Sequence, residues 1–208
     1  MKKIIKLIFI DPIVYVLSQL VYYILTKLKL LNFYPKPNGG VIDVIGHNSI
    51  LESADYFKPY LNNLLLFNTK EDLWDYVIMK IGKKENVLEF GVFNGESINY
   101  MSSKRPDLNF YGFDSFEGLQ EDWGGSQFTK AHFDLGGNLP KVNSNVKLIK
   151  GWFNKSIPNF IKRFDKKISL LNIDCDTYES TKEVLTLLDE YIGSGTIIIF
   201  DEYFGYPG

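Results

Sequence analysis

One stretch, Val87-Leu88-Glu89-Phe90-Gly91-Val92-Phe93-Asn94-Gly95-Glu96-Ser97, restricts the fold of this 208-residue chain more than any other. Its apolar opening is short, as in a strand covered on both faces. Gly91 and Gly95 lack a Cβ, so the backbone there can turn tightly and approach a ligand closely. A helix follows from near Glu96 and Ser97, with its first N–H groups facing that ligand. The spacing is not the dinucleotide fingerprint G-x-G-x-x-G, because Phe93 stands where the middle glycine would admit a pyrophosphate. An acidic residue at the strand end, Glu89, suits a cofactor with ribose hydroxyls and a cationic end instead.

Strand and helix signals then alternate. Leu108 to Phe113 reads as a second strand closed by Asp114, which lies 19 residues beyond Gly95. That spacing puts a carboxylate at the end of the neighbouring strand, in reach of both hydroxyls of a ribose. The third strand is Val146 to Lys150, followed by Gly151-Trp152-Phe153. Trp152 fits an adenine ring or the core equally well. The fourth strand, Ile168 to Ile173, runs into Asp174-Cys175-Asp176-Thr177-Tyr178-Glu179-Ser180-Thr181. Asp176 and Glu179 have capping-box spacing, which predicts Asp176 as the start of a helix. Val184, Leu185, Leu187, Leu188, Tyr191 and Ile192 continue it at helical spacing, and Gly193 ends it. The fifth strand, Thr196 to Phe200, ends in Asp201-Glu202. Upstream, the pattern predicts a short helix near 51–60 and another over 69–81. The second is capped by Thr69 and has Leu73, Tyr76, Val77 and Ile81 on one face. The whole pattern predicts a Rossmann-like, doubly wound, mostly parallel α/β sheet with helices on both faces.

Residues 115–145 hold five glycines and no clear period. A loop this long in a compact domain is usually functional. It is read as one wall of a substrate pocket, with Trp123 and Phe133 as its apolar pieces. The net charge of −2 gives no pull towards nucleic acid, so no nucleic-acid partner is expected. The single cysteine, Cys175, excludes an intramolecular disulfide and fits a reducing compartment.

Residues 1–31 differ from the rest, with five lysines against Asp11, a local balance of +4. Asp11-Pro12 is a good helix start, and the run from Ile13 to Leu31 is apolar on nearly all sides. No small-residue cleavage site follows, which argues against a signal peptide. Asp11 and Pro12 interrupt the roughly 20 apolar residues that a spanning helix needs. Peripheral contact with a membrane or packing on a partner subunit is favoured over a span. Residues 32–40, with Pro35, Pro37 and Asn38-Gly39-Gly40, read as a linker, leaving 41–208 as the main domain. The expected location is the cytoplasm, with peripheral contact at the inner membrane face as an option.

Ligands bind at the carboxyl ends of the strands in such a sheet. Glu89, Asp114, Asp174, Asp201 and Glu202 all fall there. Asp174, Asp201 and Glu202 end two strands expected to be neighbours, and carboxylates so placed repel unless a cation or proton intervenes. A divalent ion with oxygen ligands, Mg²⁺ first, resolves this. His47 and His132 lie outside these motifs, which disfavours zinc.

Glu89-x-Gly91-x-x-x-Gly95 resembles motif I of the class I S-adenosylmethionine (SAM) methyltransferases. Asp174-x-Asp176-x-Tyr178-Glu179-Ser180-Thr181, followed by Asp201-Glu202-Tyr203, is similar to the macrocin O-methyltransferase (TylF-like) family. Phe113-Asp114-Ser115-Phe116-Glu117-Gly118-Leu119 and Lys150-Gly151-Trp152-Phe153 share that likeness, which spans roughly 50–208. The resemblance implies a SAM- and Mg²⁺-dependent enzyme that methylates a hydroxyl of a sugar or a glycosylated natural product. It implies Asp174, Asp201 and Glu202 as metal ligands, with Glu202 in place of the more usual Asp, and Asp174 and Asp176 as catalytic residues, Asp176 as the base. Glu89, Gly91, Gly95, Ser97, Asp114, Ser115 and Trp152 are then the expected cofactor site.

Members of that class usually carry seven strands, whereas this chain stops just past the fifth. The sheet is therefore expected to lack its last two strands and to leave the fifth near an exposed edge. A truncated piece, a partner over the edge and a non-working enzyme each account for that, and a homo-oligomer is expected. Two other functions stand beside the first. One is a non-catalytic SAM-binding or membrane-recruited assembly protein, and the other a nucleotide-dependent oxidoreductase with a degenerate fingerprint.

Overall fold

In the computed structural model, the residues described are 17, 20, 21, 24, 40–164 and 167–206. The chain divides into two units, Met1–Asn48 and Ser49–Gly208. The expected linker at 32–40 lies outside the described residues except for Gly40, as does most of the expected helix over 1–31. Its described positions Leu17, Leu20, Val21 and Ile24 are helical and exposed. Among the described residues no helix is long and apolar enough to cross a membrane.

Five strands form one parallel sheet: β1 (Asn86–Phe90), β2 (Asn109–Asp114), β3 (Val146–Lys150), β4 (Ile168–Ile173) and β5 (Ile197–Phe200). Their order across the sheet is β3-β2-β1-β4-β5. The order reverses direction between β1 and β4, the point where doubly wound sheets open a crevice. Asn172 of β4 and Gly112 of β2 flank Glu89 in register. The predicted Rossmann-like class is the one observed.

From Gly40 onward the described residues form the α-helices α1 (Val41–Phe57) and α2 (Lys70–Ile78) ahead of the sheet and α3 (Glu96–Lys104), α4 (Phe153–Ile161) and α5 (Tyr178–Leu188) between strands. Alternation along the strands makes two apolar layers. Val87, Phe110, Leu170 and Ile199 face Trp74, Val77 and Ile78 of α2 and Ile98 and Met101 of α3. Leu88, Phe90, Phe113, Leu171 and Ile173 face Phe153 and Ile157 of α4 and Val184 and Leu188 of α5. Phe90 stacks on Phe113 at 4.8 Å, with Phe153 edge-on at 5.6 Å. Each such side chain contributes about 1.5–3 kcal/mol on burial, so the strand ends are held rigidly beneath the crevice.

Three local expectations are corrected. The helix expected near 51–60 begins at Val41, where the Gly40 amide donates to Asp43 at 3.1 Å, and ends at Phe57 before a 3₁₀ turn over Lys58–Asn63. Of the expected face over 69–81, Val77 and Ile81 are buried and Leu73 is partly buried against the core, but Trp74 and Ile78 join them and Tyr76 does not; it is 40 % exposed and packs on Phe67. The large apolar Trp74 sets the helix rotation, since it gains more from burial than the amphipathic Tyr76. The third concerns Asp176 and is described with the site.

Candidate functional site

The carboxyl ends of the strands surround a cavity of about 390 Å³, within the range of small-ligand sites. Its floor is the β1 turn. Gly91 has φ +86°, and a Cβ there would lie 1.6 Å from the carbonyl oxygen of Asp174. Only glycine lets the ends of β1 and β4 come this close. Gly95, at φ +82°, starts α3. Phe93, between them, also has a left-handed φ of +46° and packs edge-on against Phe133 at 5.2 Å.

Asp114, at the end of β2, is tied down by backbone. Its Oδ2 accepts the amides of Val92 and Phe93, both at 2.8 Å, and its Oδ1 accepts the amide of Phe116 at 2.7 Å. A carboxylate offers about four acceptor positions, so one on Oδ1 remains for a ligand hydroxyl. Ser115 lines the cavity, but its Oγ accepts the Glu117 amide at 3.0 Å. Trp152 lines the opposite wall, at the start of α4.

Glu89 does not line the cavity. It is fully buried, with Oε1 accepting from Ser97 Oγ at 2.8 Å and Oε2 from Asn172 Nδ2 at 3.0 Å. Burial pushes its carboxyl up to about 8, against the pull of these two donors. It braces β1, β4 and α3 from beneath, while Ser97, its partner, reaches the cavity edge.

The second half of the site is a group of half-buried carboxylates. Oxygens of Asp174, Asp176 and Glu202 lie within 4.8 Å of one another. Asp201 lines the same cavity but is exposed and stands outside that group. Burial first, and then mutual repulsion with the neighbouring carboxylates, push Asp174 to about 7, Asp176 to about 6 and Glu202 to about 9. Such crowding of hard oxygen donors fits a divalent cation and gives no support to zinc. Lys70, at the start of α2, also lines the cavity, and its charge favours ionised Asp174.

Asp176 reaches this position because it is not the helix cap. Thr177 takes that role, its Oγ1 accepting the Ser180 amide at 3.3 Å. Asp176 precedes it with a left-handed φ of +63°, a conformation Asp tolerates better than most residues. The capping-box spacing is thus displaced by one residue, and the carboxylate faces the cavity.

The third wall comes from the 115–145 loop, folded back on itself by paired backbone bonds. Leu119 donates to His132 and Ala131 to Leu119, each at 3.0 Å. It presents Trp123, Phe128 and Phe133 to the cavity. Tyr206, beyond β5, stacks on Trp123 at 5.5 Å. Its turn is held by the Gly205 amide donating to Ser53 Oγ of α1 at 2.9 Å. Lys70, Phe128 and Tyr206 carried no sequence signal. Each lies in a polar or glycine-rich segment, and only the folded path brings it to the strand ends.

A family model described as a methyltransferase domain matches residues 88–203. No curated protein matches the chain significantly. Among solved structures, CalS11, a calicheamicin methyltransferase, shares the fold with a TM-score of 0.53 at 20% identity, over 82% of this chain and 81% of that one. An apo structure of CalS11, described as TDP-rhamnose 3'-O-methyltransferase, gives 0.46 at 20% identity over 80% of each chain. The O-methyltransferase from Bacillus cereus in complex with SAH gives 0.45 at 17% identity, over 73% of this chain and 65% of that one.

Proposed function

This chain belongs to the methyltransferase-domain family, and on that premise we propose that it is a SAM-dependent, Mg²⁺-assisted O-methyltransferase of the macrocin (TylF-like) type, acting on a hydroxyl of a sugar or glycosylated natural product. The observation that carries this reading is the meeting of the Gly91–Gly95 turn with the carboxylates of Asp174, Asp176 and Glu202 in one cavity. The sugar acceptor of CalS11 supports it by analogy of fold. The oxidoreductase alternative is set aside by the family.

SAM supplies a methyl carbon on a sulfonium, which leaves as a neutral thioether when an acceptor oxygen takes the methyl. Gly91 and Gly95 shape the floor beneath it, Asp114 offers the remaining Oδ1 position to a ribose hydroxyl, and Trp152 offers a flat wall to the adenine. Glu89, Ser97 and Ser115 hold those elements in place. At these carboxylates Mg²⁺ would supply Lewis-acid chemistry, making an acceptor hydroxyl more acidic. Asp174 and Glu202, present in both the expected and the gathered set, would hold the ion. Asp176, relieved of capping by Thr177, is the carboxylate left to take the acceptor proton. The cavity walls then align oxygen, methyl carbon and sulfur, an orientation effect.

The test is transfer of labelled methyl from SAM to a sugar panel with and without Mg²⁺, together with titration by S-adenosylhomocysteine (SAH). Micromolar SAH binding that is lost in Asp114→Ala, and transfer that is lost in Asp176→Asn while Mg²⁺ still stabilises that variant, are expected. A folded protein that binds no SAH refutes the reading.

A further inference from the structure

The unit Met1–Asn48 has no core of its own among its described residues, each of which is exposed or half-buried. Leu17, Leu20, Val21 and Ile24 are helical, and each is between 45 % and 53 % exposed. Their spacing of i, i+3, i+4 and i+7 puts all four within an arc of about 100° on one helix face. In the sequence, Ser18, Gln19, Tyr22 and Thr26 fall out of phase with that stripe. Val41, Ile42 and Val44, at the start of α1, are exposed as well. Contiguous apolar surface of this kind marks a place where something outside the unit supplies the apolar environment.

Charge decides between the candidate occupants. Residues 1–31 carry +4, and residues 32–208 then carry −6 within the total of −2. Lys2, Lys3 and Lys6 precede the stripe, and Lys27 and Lys29 follow it. A second copy, packed in either direction, would bring lysines against lysines, whereas anionic headgroups attract them. Length argues against a span. Asp11-Pro12 and Lys27 bound a run of fourteen residues, Ile13 to Thr26. As a helix that run is about 21 Å long, against a hydrocarbon core of about 30 Å. A helix of this kind lies in the plane of the interface, with its apolar stripe at the acyl chains.

We propose that the helix carrying Leu17, Leu20, Val21 and Ile24 docks on an anionic lipid surface and tethers the methyltransferase domain there. The opposite charge of residues 32–208 keeps the body of the protein off that surface. This inference goes beyond the methyl-transfer reading and does not depend on it.

The experiment is co-sedimentation of the full chain with phosphatidylcholine vesicles, with and without phosphatidylglycerol, over a series of salt concentrations. Binding to the anionic vesicles is expected to be at least about tenfold tighter at low salt and to weaken as salt rises. Leu20→Glu combined with Ile24→Glu, both at exposed positions, should weaken it more than about tenfold at every salt concentration. Lys27→Gln combined with Lys29→Gln should lower the preference for anionic vesicles severalfold and leave the salt-resistant part in place. Thermal unfolding of both variants should match wild type, so that lost binding is not lost folding. Three results would overturn the proposal: a folded wild type that ignores anionic vesicles, binding unmoved by the paired Glu substitutions, or self-association that those substitutions abolish without vesicle binding. Retention in membranes of expressing cells through an alkaline carbonate wash would overturn it in favour of a span.

Discussion

Gly91→Ala is the sharpest perturbation available. The substitution leaves charge and polarity untouched and adds one methyl group. That methyl would stand 1.6 Å from the carbonyl oxygen of Asp174, on a backbone held at φ +86°. A left-handed backbone costs a residue with a Cβ about 1–2 kcal/mol, and forcing a methyl into packed structure adds about 1–3 kcal/mol. A loss of about 3 kcal/mol follows, which for a chain of this size lowers Tm by roughly 6–12 °C. The displaced backbone is that of Asp174, so SAH affinity and stabilisation by Mg²⁺ should fall together with Tm. Thermal unfolding by circular dichroism, with and without each ligand, measures all three. Gly193→Ala is the control, because no atom lies within 4 Å of its added Cβ and its backbone is not left-handed. It should stay within about 0.5 kcal/mol of wild type. A Gly91→Ala protein that melts within about 1 °C of wild type and binds SAH unchanged would refute the close-approach argument.

Mg²⁺ at a hundredfold excess over its Kd should stabilise the protein by about 2.7 kcal/mol, reversibly with a chelator; Asp174→Asn and Glu202→Gln should abolish the shift, and its survival in both would exclude the site. Thr177→Ala should cost about 1 kcal/mol through the lost cap, whereas Asp176→Asn should not destabilise α5; the opposite order in thermal melts would restore Asp176 as the cap. Glu89 is raised from an ordinary 4.5 to about 8 by burial, so its neutral form is the one the fold prefers. The stability it contributes is therefore complete below pH 4.5 and lost as pH rises towards 8, at most about 5 kcal/mol. Urea unfolding of Glu89→Gln should show a shallower decline across that window than wild type, and identical slopes would argue against a buried neutral carboxyl.

The sheet was legible because each strand is a short apolar run ending at a carboxylate or glycine, and burial on both faces leaves few other options. β3 and β4 were read to the residue, and β1, β2 and β5 to within about one. Asp176 was harder. Its spacing to Glu179 meets the capping-box pattern, whereas Thr177 caps with only Ser180 at the third position, and the left-handed backbone of Asp176 decides between them. Asp201 and Asp176 exchanged places in the gathered carboxylate group for the same reason, since strand-end position says nothing about which way a side chain turns. Glu89 followed the motif to the right strand but sits on the α3 face beneath the floor, where Ser97 and Asn172 claim it. The early start of α1 escaped notice because its apolar residues, among them Ile42 and Leu51, are exposed and follow no buried stripe.

The grip of Asp114 on the Val92 and Phe93 amides bears on the kinetics of ligand capture. The turn is already ordered by the protein's own carboxylate, so an arriving nucleoside has no loop to arrange. Little conformational entropy then remains to be lost on association, and encounter should not wait on a loop rearrangement. Residence time, set by how many contacts close around the bound molecule, becomes the variable through which affinity is tuned.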